Sequence, residues 1–210
     1  MRGLIYKDIT VFFKSIDKRL ILIAAAAVIL LICNAGCYAG LFASIMLAMT
    51  VGMQNVMSFA SDEKADWKKY QQAMPVKGFS VVASRYISVI CTLAVSLLGS
   101  LLFNLLSGII FRYFDFTVWG LGLAAAFIIP LLWTGICLPF TYWFGFHAAQ
   151  SIGLLAIIPM FYLIKYFEDG AGFSALIRSA SSSLLLVGIS SIFLFCISML
   201  ISVIGYERKK

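Results

Sequence analysis

Charge and histidine are both scarce in this sequence. Only 12% of its 210 residues are charged and one is histidine, against a charged share of about 25% in an ordinary soluble domain. With 62% hydrophobic residues and a mean hydropathy of +1.02, the chain has too little polar surface to stay in solution as a compact body. It reads as an integral membrane protein. A glycine-rich phosphate loop ending in Lys-Ser or Lys-Thr is missing, so ATP is not held by this chain in that way. The lone His147 stands in an aromatic turn with no acidic or cysteine neighbour in sequence, the setting of an interfacial residue and not of a metal ligand. Cys91, Cys137 and Cys196 lie in apolar runs and Cys33 and Cys37 flank a turn. They read as small membrane-helix residues, neither a metal site nor a disulfide framework.

Lys and Arg number 16 against 9 Asp and Glu. A basic excess sometimes marks a nucleic-acid binder, but no basic stripe with interleaved aromatics is present, so nucleic acid is not an expected partner. The excess is explained by membrane topology.

Charge-free intervals set the spans. Residues 20–60 carry no charge and are about twice the roughly 20 residues that cross a 30 Å hydrocarbon core, so they must double back. Asn34, Gly36 and Gly40 interrupt the apolar pattern and place the turn at 34–40. Residues 86–111 make a single span, and 116–164 again suit two crossings, broken in the aromatic stretch 141–147. The expected spans are 20–34, 41–60, 86–111, 118–140, 148–164 and 184–205, six in one membrane domain covering 1–210. Pro130, Pro139 and Pro159 fall inside them, where neighbouring helices can absorb a kink. The outer piece 166–183 reads either as a short helix dipping into the leaflet or as a Ser-rich loop.

Residues 1–19 place Leu4, Ile5, Ile9, Phe12, Phe13 and Ile16 on one helical face and Arg2, Lys7, Asp8, Lys14 and Lys18 largely elsewhere. This predicts a helix lying on the membrane surface, with a plain polar leader as the alternative. The stretch superficially resembles a secretory signal, yet it is too long and too amphipathic, and another apolar run follows at once.

Basic residues are lopsided. Arg2, Lys7, Lys14, Lys18, Arg19, then Lys64, Lys68, Lys69, Lys77, Arg85, then Arg208, Lys209 and Lys210 fall on one side, and only Arg112, Lys165 and Arg178 on the other. The positive-inside rule then puts both termini and the 62–85 loop in the cytoplasm.

That loop, DEKADWKKYQQAMPVKGFSVVASR, is the one long polar interval between apolar runs. It predicts a short helix over 62–76, with Asp62, Glu63 and Asp66 at its positive end, Lys68 and Lys69 later, and Glu63, Trp67, Tyr70 and Met74 on one stripe. Within the six expected spans no carboxylate, lysine or arginine occurs. Ion-coupled carriers and channels usually keep such groups along their pathways, so the pattern fits a conduit for amphipathic or lipidic cargo powered by another subunit.

Two stripes are candidates for lining it. Met46, Met49, Met53 and Met57 recur at helical spacing, and flexible thioethers adapt to many apolar surfaces. Ser96, Ser100 and Asn104, with Ser107, Gly99 and Gly108, form a small, weakly polar face that either lines a wet cavity or lets helices approach closely. Ordinary packing explains both stripes equally well.

These features together resemble the permease subunits of ABC-2 type exporters. More closely, MRGLIYKD and SDEKADWKKYQQAMPVKGFSVVASRYIS are similar to small bacterial permeases of the phenol-soluble-modulin exporter group, which show Asp-Glu-Lys, Trp, Tyr, Met-Pro or Leu-Pro, Val and Arg-Tyr at about these intervals. Here they are Asp62-Glu63-Lys64, Trp67, Tyr70, Met74-Pro75, Val81 or Val82, and Arg85-Tyr86. The resemblance implies an all-α, type V exporter-like fold with an N-terminal elbow helix, and a bacterial cell-membrane location. It also implies a second permease copy or paralogue, separate ATPase subunits that bind ATP and Mg, and no catalysis or cofactor in this chain itself. The coupling helix seated on the ATPase falls on Asp62, Glu63, Lys64, Asp66, Trp67, Lys68, Lys69 and Tyr70. Amphipathic peptides such as peptide toxins or antimicrobial peptides are the expected cargo. The alternatives are a lipid or hydrophobic-drug exporter and a non-transporting immunity or assembly protein.

Overall fold

The computed structural model describes residues 2–16, 18–65, 67, 70, 77–112, 114–147, 151 and 171–208. Six α-helices follow one another among them: α1 (Arg2–Lys14), α2 (Lys18–Ala35), α3 (Ala39–Lys64), α4 (Gly78–Phe111), α5 (Phe116–Phe144) and α6 (Ala171–Arg208). Four are long and apolar enough to cross a membrane, over Ala39–Glu63, Gly78–Phe111, Phe116–Phe144 and Leu184–Arg208. The first expected span coincides with α2, whose apolar part Leu22–Cys33 is shorter than these four. The fifth, 148–164, lies outside the described residues apart from the helical Ser151.

Local chemistry accounts for the boundaries. Between α2 and α3 the chain turns through a 3-10 segment, Gly36–Tyr38, where Gly36 takes φ +54°, a left-handed conformation that glycine adopts without a Cβ penalty. The start of α5 is capped by Asp115, whose carboxylate accepts from the Thr117 N–H at 2.8 Å. Its end falls at Gly145, at φ +94°. Pro130 and Pro139 lie inside α5. Thr134 Oγ1 donates to the Pro130 carbonyl at 2.6 Å, and Thr141 Oγ1 to that of Cys137 at 2.8 Å, so hydroxyls occupy carbonyl oxygens beside the proline positions.

Three boundaries differ from expectation. α4 begins at Gly78, eight residues before the expected span. At 34 residues it is about 50 Å long, well beyond a 30 Å hydrocarbon core. Arg85 therefore lies within the helix, one residue before the expected charge-free span 86–111. α3 runs on through Lys64, so Asp62 and Glu63 close that helix instead of opening a separate one. Residues 171–183 are helical and continuous with α6, which replaces the expected loop or separate short helix there.

The core joins α4, α5 and α6. Val81, Val82, Tyr86, Val89 and Leu93 pack with Leu131 and Leu138 and with Phe195 and Tyr206. α5 packs most extensively, against α3 on one side and α6 on the other, while α1 rests on α4 and α3. Small residues permit the closeness: a Cβ at Gly52 would stand 3.3 Å from Trp133, and one at Gly40 3.0 Å from Asn104.

A candidate coupling site where α1, α3 and α4 meet

A line of polar side chains runs along the face of α3 that meets α4: Ser44, then, eleven residues on, Asn55, Ser58 and Asp62 at three- and four-residue steps. Ser44 Oγ accepts from Ser100 Oγ at 2.9 Å and from Asn104 Nδ2 at 3.0 Å. Further along, Asn55 Nδ2 donates to Thr92 Oγ1 at 2.9 Å. Next, Ser58 Oγ accepts from Arg85 Nη2, and Asp62 Oδ2 lies 3.5 Å from the same nitrogen. The rungs join an antiparallel helix pair from one end to the other, so α3 and α4 are held in one register.

The last rungs recruit α1. Asp8, expected on the polar face of that helix, is buried with Phe12, and its carboxylate accepts from Arg85 Nη1. Lys7 Nζ lies 3.1 Å from Asp8 and 2.8 Å from Asp62. Two cations thus meet two carboxylates on three helices, and the cluster is neutral. That balance allows burial, since an isolated charge would be far more costly to bury than a paired one. The guanidinium also lies 4.1 Å from the centre of the Phe59 ring, a cation–π contact.

A cavity of about 320 Å³ opens beside the cluster, lined by Leu4 and Lys7 of α1, Asp62 and Glu63 of α3, Arg85 of α4, Tyr142 of α5, Tyr206 of α6 and Trp67 among others. The Trp67 ring lies 4.5 Å from Lys7 Nζ. Its Nε1 has no hydrogen-bond partner, and the Tyr70 ring is 6.4 Å away. Among the described residues no group of three His, Cys, Asp or Glu side chains is placed to hold a metal ion.

Residues expected to couple to an ATPase therefore divide. Asp62 is committed to Lys7 and Arg85, Glu63 lines the cavity, and Trp67 is half-buried against α1. Tyr70 is exposed, at 62%. Lys64 ends α3, while Asp66, Lys68 and Lys69 lie outside the described residues. Of the two stripes, Ser96, Ser100 and Asn104 are buried between helices, Ser96 donating to the Ala126 carbonyl of α5 at 2.9 Å. Met46, Met53 and Met57 are exposed along α3, with Met49 partly so.

Lys7, Asp8, Ser58 and Arg85 were not among the expected site residues. One signal was available, for Asp8 stands midway between Leu4 and Phe12 on a single helical stripe, an acidic residue at the centre of an apolar face.

The family model described as ABC-2 family transporter protein matches residues 3–207. The chain belongs to the ABC-2 transporter family. Characterised proteins and solved structures yield no match. As an ABC-2 family member the chain is a membrane component of a transporter, and the match takes in the junction residues Lys7, Asp8, Asp62 and Arg85.

Proposed function

We propose that this chain is the permease subunit of an ATP-driven exporter in the bacterial cell membrane, with both termini cytoplasmic, and that the stretch 62–76 docks a separate ATPase subunit that binds ATP and Mg. A second permease, identical or paralogous, completes the membrane part. One observation carries the reading: the helix ends that flank this stretch, α3 and α4, are tied to each other and to α1 by the neutral charge cluster. Force applied between them would be delivered to several helices as one body.

Amphipathic peptides are the cargo this reading favours. The exposed Met46, Met53 and Met57 give α3 an adaptable apolar face, and the four charges of Lys7, Asp8, Asp62 and Arg85 pair with one another. The test is co-purification of the chain with a candidate ABC ATPase from the same cell, followed by reconstitution in vesicles. ATP-dependent movement of a labelled amphipathic helical peptide is expected. Failure of the ATPase to bind sinks the docking; binding with transport of a labelled phospholipid alone would replace the peptide by lipid.

A further inference from the structure

Lys7 reaches from α1 to the end of α3 and past it. Its ammonium touches three groups from three places in the sequence: Asp8 on its own helix, Asp62 in the last turn of α3, and the ring of Trp67 beyond that helix. It remains partly open to solvent, whereas Arg85 is 5% exposed and supports Asp8 from within. Arg85 holds α1 on the bundle, and Lys7 reaches outward from that fixed base to the start of the 62–76 stretch.

We infer that Lys7 is a positioning residue: it fixes the exit of the chain from α3, so that α1 takes part in relaying movement between the 62–76 stretch and the membrane helices. The inference rests on the reading that this stretch docks an ATPase. Three consequences of the geometry support it. Asp62 has one oxygen on Lys7 and the other toward Arg85, so its carboxylate is oriented from both sides. Trp67 has an indole nitrogen with no hydrogen-bond partner, and the Lys7 cation lies 4.5 Å from the centre of its ring. A displacement of Trp67 or Asp62 is also felt directly at α1, with no intervening residue. Docking of α1 itself does not depend on Lys7, because the Asp8–Arg85 pair is a separate contact.

The experiment has two arms. In the first, the permease alone in detergent is probed with acrylamide, a neutral quencher that does not respond to the lost charge itself, and the Trp67 share of the fluorescence is taken as the difference from a Trp67→Phe variant. Lys7→Gln is expected to raise acrylamide quenching of that share about two- to five-fold, the population shift that loss of one exposed cation–π contact brings, and Lys7→Arg to restore it. In the second, the permease–ATPase complex in vesicles is assayed for ATP hydrolysed per labelled amphipathic peptide moved. Lys7→Gln is expected to raise that ratio about five-fold, the lower end of ordinary coupling between sites, with Lys7→Arg again near the parent. A merely structural role would reduce the yield of active complex and leave the ratio unchanged. Unchanged quenching overturns the positioning role, and altered quenching with an unchanged ratio overturns the relay. If the parent permease fails to bind an ATPase, the docking reading falls and the relay falls with it, while the first arm still decides what Lys7 does to Trp67.

Discussion

Arg85 of α4 donates to the carboxylate of Asp8 on α1 across 77 residues of sequence, and the two side chains are 5% and 7% exposed. A buried pair of this kind adds little net stability when whole and costs much when halved, because the survivor is left charged in a medium that cannot solvate it.

Arg85→Met should therefore destabilise the chain by about 3 kcal/mol, since Asp8 keeps only Lys7 at 3.1 Å. Adding Asp8→Leu removes the stranded carboxylate and should recover most of that loss, while the Lys7–Asp62 pair stays intact. Unfolding of the purified protein in detergent, followed by denaturant titration, measures both. A double variant no more stable than Arg85→Met would show that the guanidinium matters through Phe59 or Ser58 instead.

Two glycines of α5 offer a matched comparison. A Cβ at Gly122 would stand 2.8 Å from Asn104 Nδ2 and 3.3 Å from Ser44 Oγ, in the middle of the α3–α4 polar rungs, whereas one at Gly120 meets nothing within 4 Å. Gly122→Ala should cost about 1–3 kcal/mol by overpacking and by pushing Asn104 off Ser44. Gly120→Ala should be neutral or stabilise by up to about 1 kcal/mol, as expected for alanine over glycine inside a helix. Melting midpoints in one detergent, taken side by side, decide this. Equal losses at the two sites would mean that the rungs are not tightly packed.

Tyr86 links α4 to α6, its hydroxyl lying 2.7 Å from Ser198 Oγ and 2.8 Å from Ser202 Oγ. Tyr86→Phe should cost about 1 kcal/mol, near what interhelical hydrogen bonds contribute in membrane proteins, because both serines can turn back to carbonyls of their own helix. Replacing both serines by alanine as well should add little to that loss. A thermodynamic cycle over the three positions reads the coupling directly, and strict additivity would argue that the bonds contribute nothing.

How much of this was legible beforehand depended on range. The apolar character of α3, α4 and α5 is written in charge-free intervals, and the turn at Gly36 in local glycine chemistry. Asp62 and Glu63 misled because acidic residues before lysines favour a helix start, a preference of a few tenths of a kcal/mol up to about 1 kcal/mol. Here Asp62 is satisfied by Lys7, 55 residues earlier, and that contact carries no local sequence pattern. Arg85 shows the same limit: a cation at the edge of an apolar run reads as a membrane boundary, while its partner Asp8 belongs to another helix and carries no local pattern. The Ser96, Ser100 and Asn104 stripe fits packing and pore lining equally from sequence, and only the position of Ser44 on the facing helix places it between helices.

Trp67 and Tyr70 were expected to act alike, and their surroundings separate them. Tyr70 is 62% exposed, so its ring is available to a partner, while Trp67 is half-buried under Lys7 and against the cavity. If the stretch docks an ATPase, Tyr70→Ala should weaken capture of that ATPase about 30-fold, equivalent to roughly 2 kcal/mol for an aromatic anchor, with the melting midpoint of the permease alone unchanged. Trp67→Ala should lower both, since the indole fills space inside the permease before any partner arrives. Immobilised permease titrated with purified ATPase gives the affinities, and thermal unfolding in detergent gives the second readout. Undiminished capture by Tyr70→Ala would remove that ring from the interface and place it at the lipid headgroups, where tyrosine is also at home.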